Sequence, residues 1–308
     1  MAKIEYVEIS DFLAFKGRFE VNFYSGVNVL IGDNGTGKTT LLKGMYVHAN
    51  GINGLGVSIA SGKIVGTSYL MDHWERIYCK PEIISQGPHG KYIPEKDILE
   101  HAKGLVPFID HKPTGFSKIY RDVLIAAQDV PTNEQSEMQR NIGKKIVDLI
   151  GGTIEWDRSE GTYYTVKTDG KRIPFADEAS GYKKLGFLGL LVASEQLKPG
   201  SILFWDEPEN SLNPDIYPEL VSILLELAQN DIQIFLATHD YNLARHLDVR
   251  KDKSIPVTFH NLVKTKDGGI TCHSSPEYIK LPNNLLEKAS EDLFEAVIAN
   301  ALGVQGDE

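Results

Sequence analysis

The chain has 308 residues, 42% of them hydrophobic, with a formal net charge of -10 at pH 7 and two cysteines, Cys79 and Cys272. The acidity argues against a surface that is basic all over, and so against non-specific nucleic-acid binding by bulk charge; two cysteines are too few for a disulfide framework or a zinc site. The opening "MAKIEYVEISDF" is charged and alternating rather than a leader-like apolar run, and no stretch of about 18 apolar residues follows, so the expectation is a soluble, cytoplasmic protein without a membrane partner.

In chain order, "KIEYVEI" and "RFEVNF" alternate apolar and polar residues as strands with one wet face do, and "GVNVLI" reads as a buried strand. It runs into "IGDNGTGKTTLL", which fits G-x-x-x-x-G-K-[ST] with Gly32, Gly37, Lys38 and Thr39 at the fixed positions. Glycines let the backbone take φ > 0 and turn successive N–H groups around an anion. Lys38 reaches the β/γ-phosphates as a catalytic cation, the Thr39 hydroxyl is a Mg²⁺ ligand, and the helix that starts there adds its positive end. The expected ATP-binding set is Gly32, Asn34, Gly35, Thr36, Gly37, Lys38, Thr39 and Thr40. A Rossmann loop needs G-x-G-x-x-G, whereas these glycines run G-x-x-G-x-G.

"KTTLLKGMYVHA" reads as a helix and "GINGLGVSIASGK" as an irregular glycine-rich stretch. "YIPEKDILEHAKGLV", entered through Pro94, "FSKIYRDVLIAAQ" and "EQSEMQRNIGKKIVDLI" read as helices, a helical subdomain at about 94–152. "TIEWD" and "TYYTVKT" form a hairpin pattern. From Asp177 the pattern is helix, strand, helix, strand, helix, the grammar of a parallel sheet with crossover helices. A β-hairpin and a terminal helix close the chain at about 255–303. Prolines and glycines interrupt the interval from Thr39 to Ser180 and exclude a long coiled-coil arm. The basic runs Arg140 to Lys145 and Arg245 to Lys253 fit solvated helix faces better than nucleic-acid patches.

"SILFWDEPENSLNP" is a short apolar strand ending in Asp206, Glu207 and Glu209, and ligands of open parallel sheets sit at such carboxyl ends. Asp206 is placed to hold the metal, and Glu207, one step further out, to take a proton from an attacking water or orient it. "IQIFLATHD" repeats the geometry with Thr238 and His239, whose imidazole could hydrogen-bond the γ-phosphate. "DEASGYKKLGFLGLL" puts Ser180 and Gly181 at a helix N-terminus, which suits an N-cap, an anion site or both.

Phosphate loop, Ser-Gly helix start, Asp-Glu strand end, "NSLNP" and "ATH" follow one another as in an ABC-type ATPase head, and "EASGYKKLG" with "GSILFWDEPENSLNP" resembles the small RecF/SMC-like ATPases of the AAA_21 and AAA_15 groups, found in phage-defence and toxin-related systems. The resemblance implies an α/β P-loop NTPase fold with a mainly parallel core sheet, an antiparallel N-terminal β lobe and a helical subdomain, as one domain. It implies ATP as substrate, Mg²⁺ as cofactor and a head-to-tail homodimer formed on ATP binding, in which Ser180 and Gly181 touch the γ-phosphate held by the other subunit. Asn210 to Pro214 would cross between the two sites, and Lys16 or Phe15 would lie near the adenine. A protein effector is the expected partner, nucleic acid a further one. Two departures stand out: the signature lacks L-S-G-G-Q, and the glutamine loop is unplaced, with Gln86 and "YIPEK" as candidates. An ATP-gated scaffold of slow turnover that regulates a separate nuclease or toxin is the alternative, and a transporter subunit is disfavoured by the signature.

Overall fold

The computed structural model describes residues 3–50, 58–60, 63–65, 77–81, 90–99, 102–111, 118–128 and 134–302. Strands β1 (Ile4–Phe12) and β2 (Phe15–Asn22) pair antiparallel. Val7, Ile9, Phe15 and Phe19 of this hairpin face the core, while Arg18 pairs with Glu8 and Glu20 on the wet face. The alternation in the sequence is therefore the two sides of a sheet. β3 (Val27–Gly32) is buried along its whole length and feeds α1 (Lys38–Ala49) through the glycine loop.

Two short strands, β4 (Ser58–Ala60) and β5 (Lys63–Val65), pair within the stretch read as irregular, and β6 (Ile77–Pro81) joins the far side of β1. β7 (Gly90–Ile93) corrects the helix read at "YIPEK": Tyr92 and Ile93 lie in a strand, parallel to a later one, and the helix α2 (Ala102–His111) begins several residues on. Pro94 ends the strand here instead of opening a helix. α3 (Lys118–Ala127) and α4 (Glu137–Ile150) follow. α4 begins at a capping box of Ser136 and Gln139 and ends on Gly151 with φ 65°, so both ends are written in the sequence. A meander of β8 (Gly152–Asp157), β9 (Thr162–Lys167) and β10 (Arg172–Pro174) leads into α5 (Ser180–Ala193).

The alternating half comprises β11 (Ile202–Asp206), α6 (Tyr217–Gln229), β12 (Gln233–Ala237), α7 (Tyr241–Arg250), β13 (Val257–Lys264), β14 (Ile270–Ser275) and α8 (Leu285–Leu302). The six-stranded central sheet runs β14-β13-β3-β12-β11-β7, parallel throughout except for β14. The C-terminal hairpin thus extends the core sheet: β13 pairs with β3 up to Leu262 opposite Gly32, at the mouth of the glycine loop. Buried Gln233 fastens the N-terminal lobe to this sheet, its amide bonding Ile4 N, Ile4 O and Tyr24 O at 2.9, 2.9 and 3.0 Å. Among the described residues no helix is long and apolar enough to cross a membrane.

Candidate functional site

Parallel β3, β12 and β11 end side by side, which brings the glycine loop, Thr238–His239 and Asp206–Glu207 to one edge. In the loop Gly32, Gly35 and Gly37 have φ of 139°, 74° and 87°, the backbone that the spacing requires. A Cβ on Gly37 would stand 2.7 Å from the Phe15 ring, so the loop rests on that side chain. Phe15 is fully buried, 4.6 Å from Phe19 between ring centroids, and has no face open to a base. Of the two adenine alternatives only Lys16 is exposed, beside the β13–β14 turn, where a Cβ on Gly268 would lie 3.2 Å from its Nζ.

Thr36 is buried and donates through Oγ1 to Asp33 O at 2.8 Å, which sets the loop's curl. Lys38 Nζ donates to Gly32 O (2.7 Å) and Asp33 O (3.1 Å), and burial pushes its ammonium below the ordinary lysine range. Asn34 is exposed and its carbonyl accepts from Lys264 Nζ at 2.9 Å. Lys264, at the end of β13, is a cation at the loop that the sequence pattern did not single out, because β13 was read as an appended hairpin. Thr40 is half-buried one residue beyond Thr39.

The Thr39 hydroxyl donates to Asp206 Oδ1 at 3.0 Å, across 167 residues of chain. The other oxygen of Asp206 accepts from the Tyr92 hydroxyl, also at 3.0 Å. Burial raises the Asp206 carboxyl above its usual range, and the bonds from Thr39 and Tyr92 pull it back down. Burial and that carboxylate raise the Tyr92 phenol well above its ordinary range, so in this bond the phenol is the donor. A threonine hydroxyl and an aspartate side by side at a phosphate loop are a hard-oxygen donor set of the kind Mg²⁺ takes along with phosphate oxygens.

Glu207 and Glu209 meet at His239. Its Nδ1 lies 3.1 Å from Glu207 Oε1 and 3.6 Å from Glu209 Oε1. Glu209 is buried, accepts from Thr238 Oγ1 (2.7 Å) and His239 N (3.1 Å), and keeps Oε2 unpartnered among the described residues. Burial raises its carboxyl as well. Glu209 was visible as the third acid of "DEPE" but carried no role; its place is beneath His239.

At α5, Ala179 is the cap residue and Ser180 the first helical residue, exposed and making no capping bond, so the N-cap reading of Ser180 falls. Gly181 lets α5 close on the loop after β11: a Cβ there would meet Ser211 O at 2.5 Å and Leu212 Cδ2 at 2.7 Å. Gln86 lies outside the described residues, and "YIPEK" supplies Tyr92. Of the basic runs, Lys145 is bound to Glu226 at 2.8 Å, while Arg245 and Lys251 both pair with Asp248.

A sequence profile described as "AAA domain, putative AbiEii toxin, Type IV TA system", AAA_21, matches residues 91–245, half of the chain. The chain belongs to the AAA_21 family. A second profile, AAA_23, described as "AAA domain", matches residues 6–47 of this AAA_21 protein. The arginine transport ATP-binding protein ArtP of Escherichia coli (strain K12) is 30% identical over 94 residues, 30% of this chain and 37% of the length of that relative. Among solved structures, an SMC head bound to the C-winged helix domain of ScpA aligns with 88% of this chain and 97% of its own at 15% identity and TM-score 0.54. The Smc head domain with an extended coiled coil, bound to the C-terminal domain of ScpA from Pyrococcus furiosus, covers 96% and 100% at 12% identity and TM-score 0.52. The fold is that of the SMC head structures, with the mainly parallel core and antiparallel N-terminal lobe that the motifs imply.

Proposed function

We propose that this AAA_21 protein binds and hydrolyses Mg·ATP and that ATP closes two copies head to tail. The observation that carries the reading is the convergence of Lys38, Thr39, Asp206, Glu207 and His239, from the start of α1 and the ends of β11 and β12, on one edge of the sheet. Loop N–H groups and Lys38 bind the β/γ-phosphates; Thr39 and Asp206 hold Mg²⁺, which neutralises phosphate charge. Glu207 orients the attacking water and takes its proton, and His239, fixed by the two glutamates, donates toward the γ-phosphate. Products are ADP and phosphate. Exposed Ser180 and the first turn of α5 close over the γ-phosphate of the second copy, and residues 210–214 cross between the sites. The cycle of closing and opening controls a partner effector, in the way that the SMC heads above are held with ScpA; nucleic acid is a second candidate. The chain spans 37% of the curated relative's length, and the transport role of that relative is not carried over.

Glu207→Gln tests the mechanism. The amide keeps the shape of the side chain but takes no proton, and loss of a positioned general base lowers turnover by about 10²–10⁴. The variant is expected to bind ATP with parent affinity, to show in Mg·ATP an association beyond that of the nucleotide-free protein by light scattering, and to lose that increment when Ser180→Arg is added. Parent-level hydrolysis by Glu207→Gln, or no gain in association on adding Mg·ATP, would refute the composite site.

A further inference from the structure

Two features of the molecule play no part in the nucleotide site, and they complement each other. The first is α8. None of its 18 residues is buried, and Leu293 and Phe294 are 67% and 65% exposed, with Val297, Ile298 and Leu302 also open. Among the described residues, Leu286 at its start is the α8 side chain that packs on the core. An isolated helical segment of about a dozen residues is marginal in water; this one also leaves apolar side chains at i, i+1, i+4 and i+5 in solvent. Beside them Glu287, Glu291 and Glu295 form an acidic row at i+4 spacing, and with Asp292 against Lys288 the helix is net acidic.

The second feature is a cavity of about 390 Å³ between α4, α5 and β8. Its apolar lining includes Ile146, Val147, Ile150 and Leu190, and Gly143, with nothing within 4 Å of where its Cβ would stand, leaves room for a close approach. Exposed Arg140 and Lys144 stand on its rim, again at i+4 spacing. A larger cleft of about 720 Å³ between α4 and α6 is less suited to an apolar helix, because the Lys145–Glu226 ion pair lies across it.

We infer that α8 of one copy docks into the α4–α5 groove of a second copy, with the Phe294 and Ile298 side chains in the groove and Glu291 and Glu295 on Arg140 and Lys144. Both charge rows repeat every four helical residues, about 6 Å, so they match in register, and charge pairing at the rim fixes orientation while the apolar side chains supply the affinity. Self-pairing of two α8 helices would instead set acidic rows against each other. The contact uses no atom of the nucleotide site and forms without ATP, so its failure and the failure of the ATPase reading are separable.

Sedimentation of the full chain without nucleotide, across a concentration series, is the test. The parent is expected to associate. Leu293→Asp with Phe294→Asp, and separately Arg140→Glu with Lys144→Glu, should each raise the dissociation constant at least about tenfold, as loss of interface anchors does. Combining Arg140→Glu and Lys144→Glu with Glu291→Lys and Glu295→Lys in one chain should restore association. All these side chains are exposed, and unchanged circular dichroism and ATP affinity confirm that each variant is folded. A parent that stays monomeric overturns the inference. Dispersal by the α8 variants but not by Arg140→Glu with Lys144→Glu overturns the groove assignment, and so does a monomer whose α8 is occupied by a different protein.

Discussion

Tyr92→Phe removes one oxygen from the centre of the site and leaves the ring where it is, 2% exposed and 5.5 Å from the Tyr46 ring. What is lost is the donor to Asp206 Oδ2 at 3.0 Å. A hydrogen bond to a charged group contributes about 1.5–3 kcal/mol, and the carboxylate is buried, so no bulk water takes the place of the phenol. Freed on that side, Asp206 can turn away from the direction that Thr39 and Tyr92 together impose. The Mg²⁺-dependent part of ATP affinity should therefore fall by about 10- to 100-fold, since each 1.4 kcal/mol is about tenfold. Calorimetry with ATP in Mg²⁺ and again in EDTA separates the terms. In EDTA affinity should match the parent, because Tyr92 bonds to Asp206 and not to the glycine loop. An equal loss in both buffers would mean that the substitution disturbs the fold of the loop, and no loss in Mg²⁺ would mean that Asp206 does not hold the metal.

Gly181→Ala should destabilise the protein by about 1–3 kcal/mol, the range for overpacking, since its methyl group overlaps Ser211 O and Leu212; thermal denaturation would read it, and an unchanged midpoint would remove the close contact. Stability should also depend on His260, whose Nε2 faces Asn28 Oδ1 at 3.2 Å and whose Nδ1 faces Ser274 Oγ at 2.8 Å. Burial lowers its pKa from 6.5 to about 3. Between those values the unfolded chain holds the extra proton, so stability rises with pH over that window, by up to about 1.4 kcal/mol per unit, and the contribution is flat above it. Urea titrations from pH 4 to 8 should show a shallower slope for His260→Gln; parallel slopes would exclude His260 as the source.

The phosphate loop was legible because its chemistry is local: the seven consecutive residues from Gly32 to Lys38 must supply φ > 0, N–H groups and one cation, and nothing elsewhere in the chain substitutes for them. The ends of β11 and β12 were legible for a related reason, since an apolar run that stops on acids or on Thr-His announces a buried strand and its exit. Tyr92 was not. It owes its role to pairing between β7 and β11, Tyr92 opposite Phe204, and a four-residue strand before a proline carries too little pattern to be told from a helix start. Lys264 and Glu209 escaped likewise: one reaches the loop only because β13 joins β3, and the other acts through Thr238 and His239, about thirty residues away. Long-range pairing is what sequence periodicity does not encode.

The acid proposed to orient water sits in a strained position. Glu207 has φ 48°, a left-handed conformation that costs a residue with a Cβ about 1–2 kcal/mol. Three bonds hold its backbone: its N–H donates to Ala237 O at 2.8 Å, and its carbonyl accepts from Lys184 Nζ at 2.8 Å and from Asn210 N at 3.1 Å. Lys184 is buried, and burial lowers its pKa while Glu209 and Glu207 pull it back up, so the ammonium is kept by the acids it serves. Lys184 stands one turn after Ser180 on α5. The helix thus presents an exposed hydroxyl at its start and, four residues on, the cation that bonds the Glu207 carbonyl, so a displacement of its first turn reaches Glu207 through one rigid element. In "SGYKK" the second lysine is therefore a structural link between the outer end of α5 and the edge of the sheet where β11 and β12 end, and a solvated reading of that basic pair would miss it.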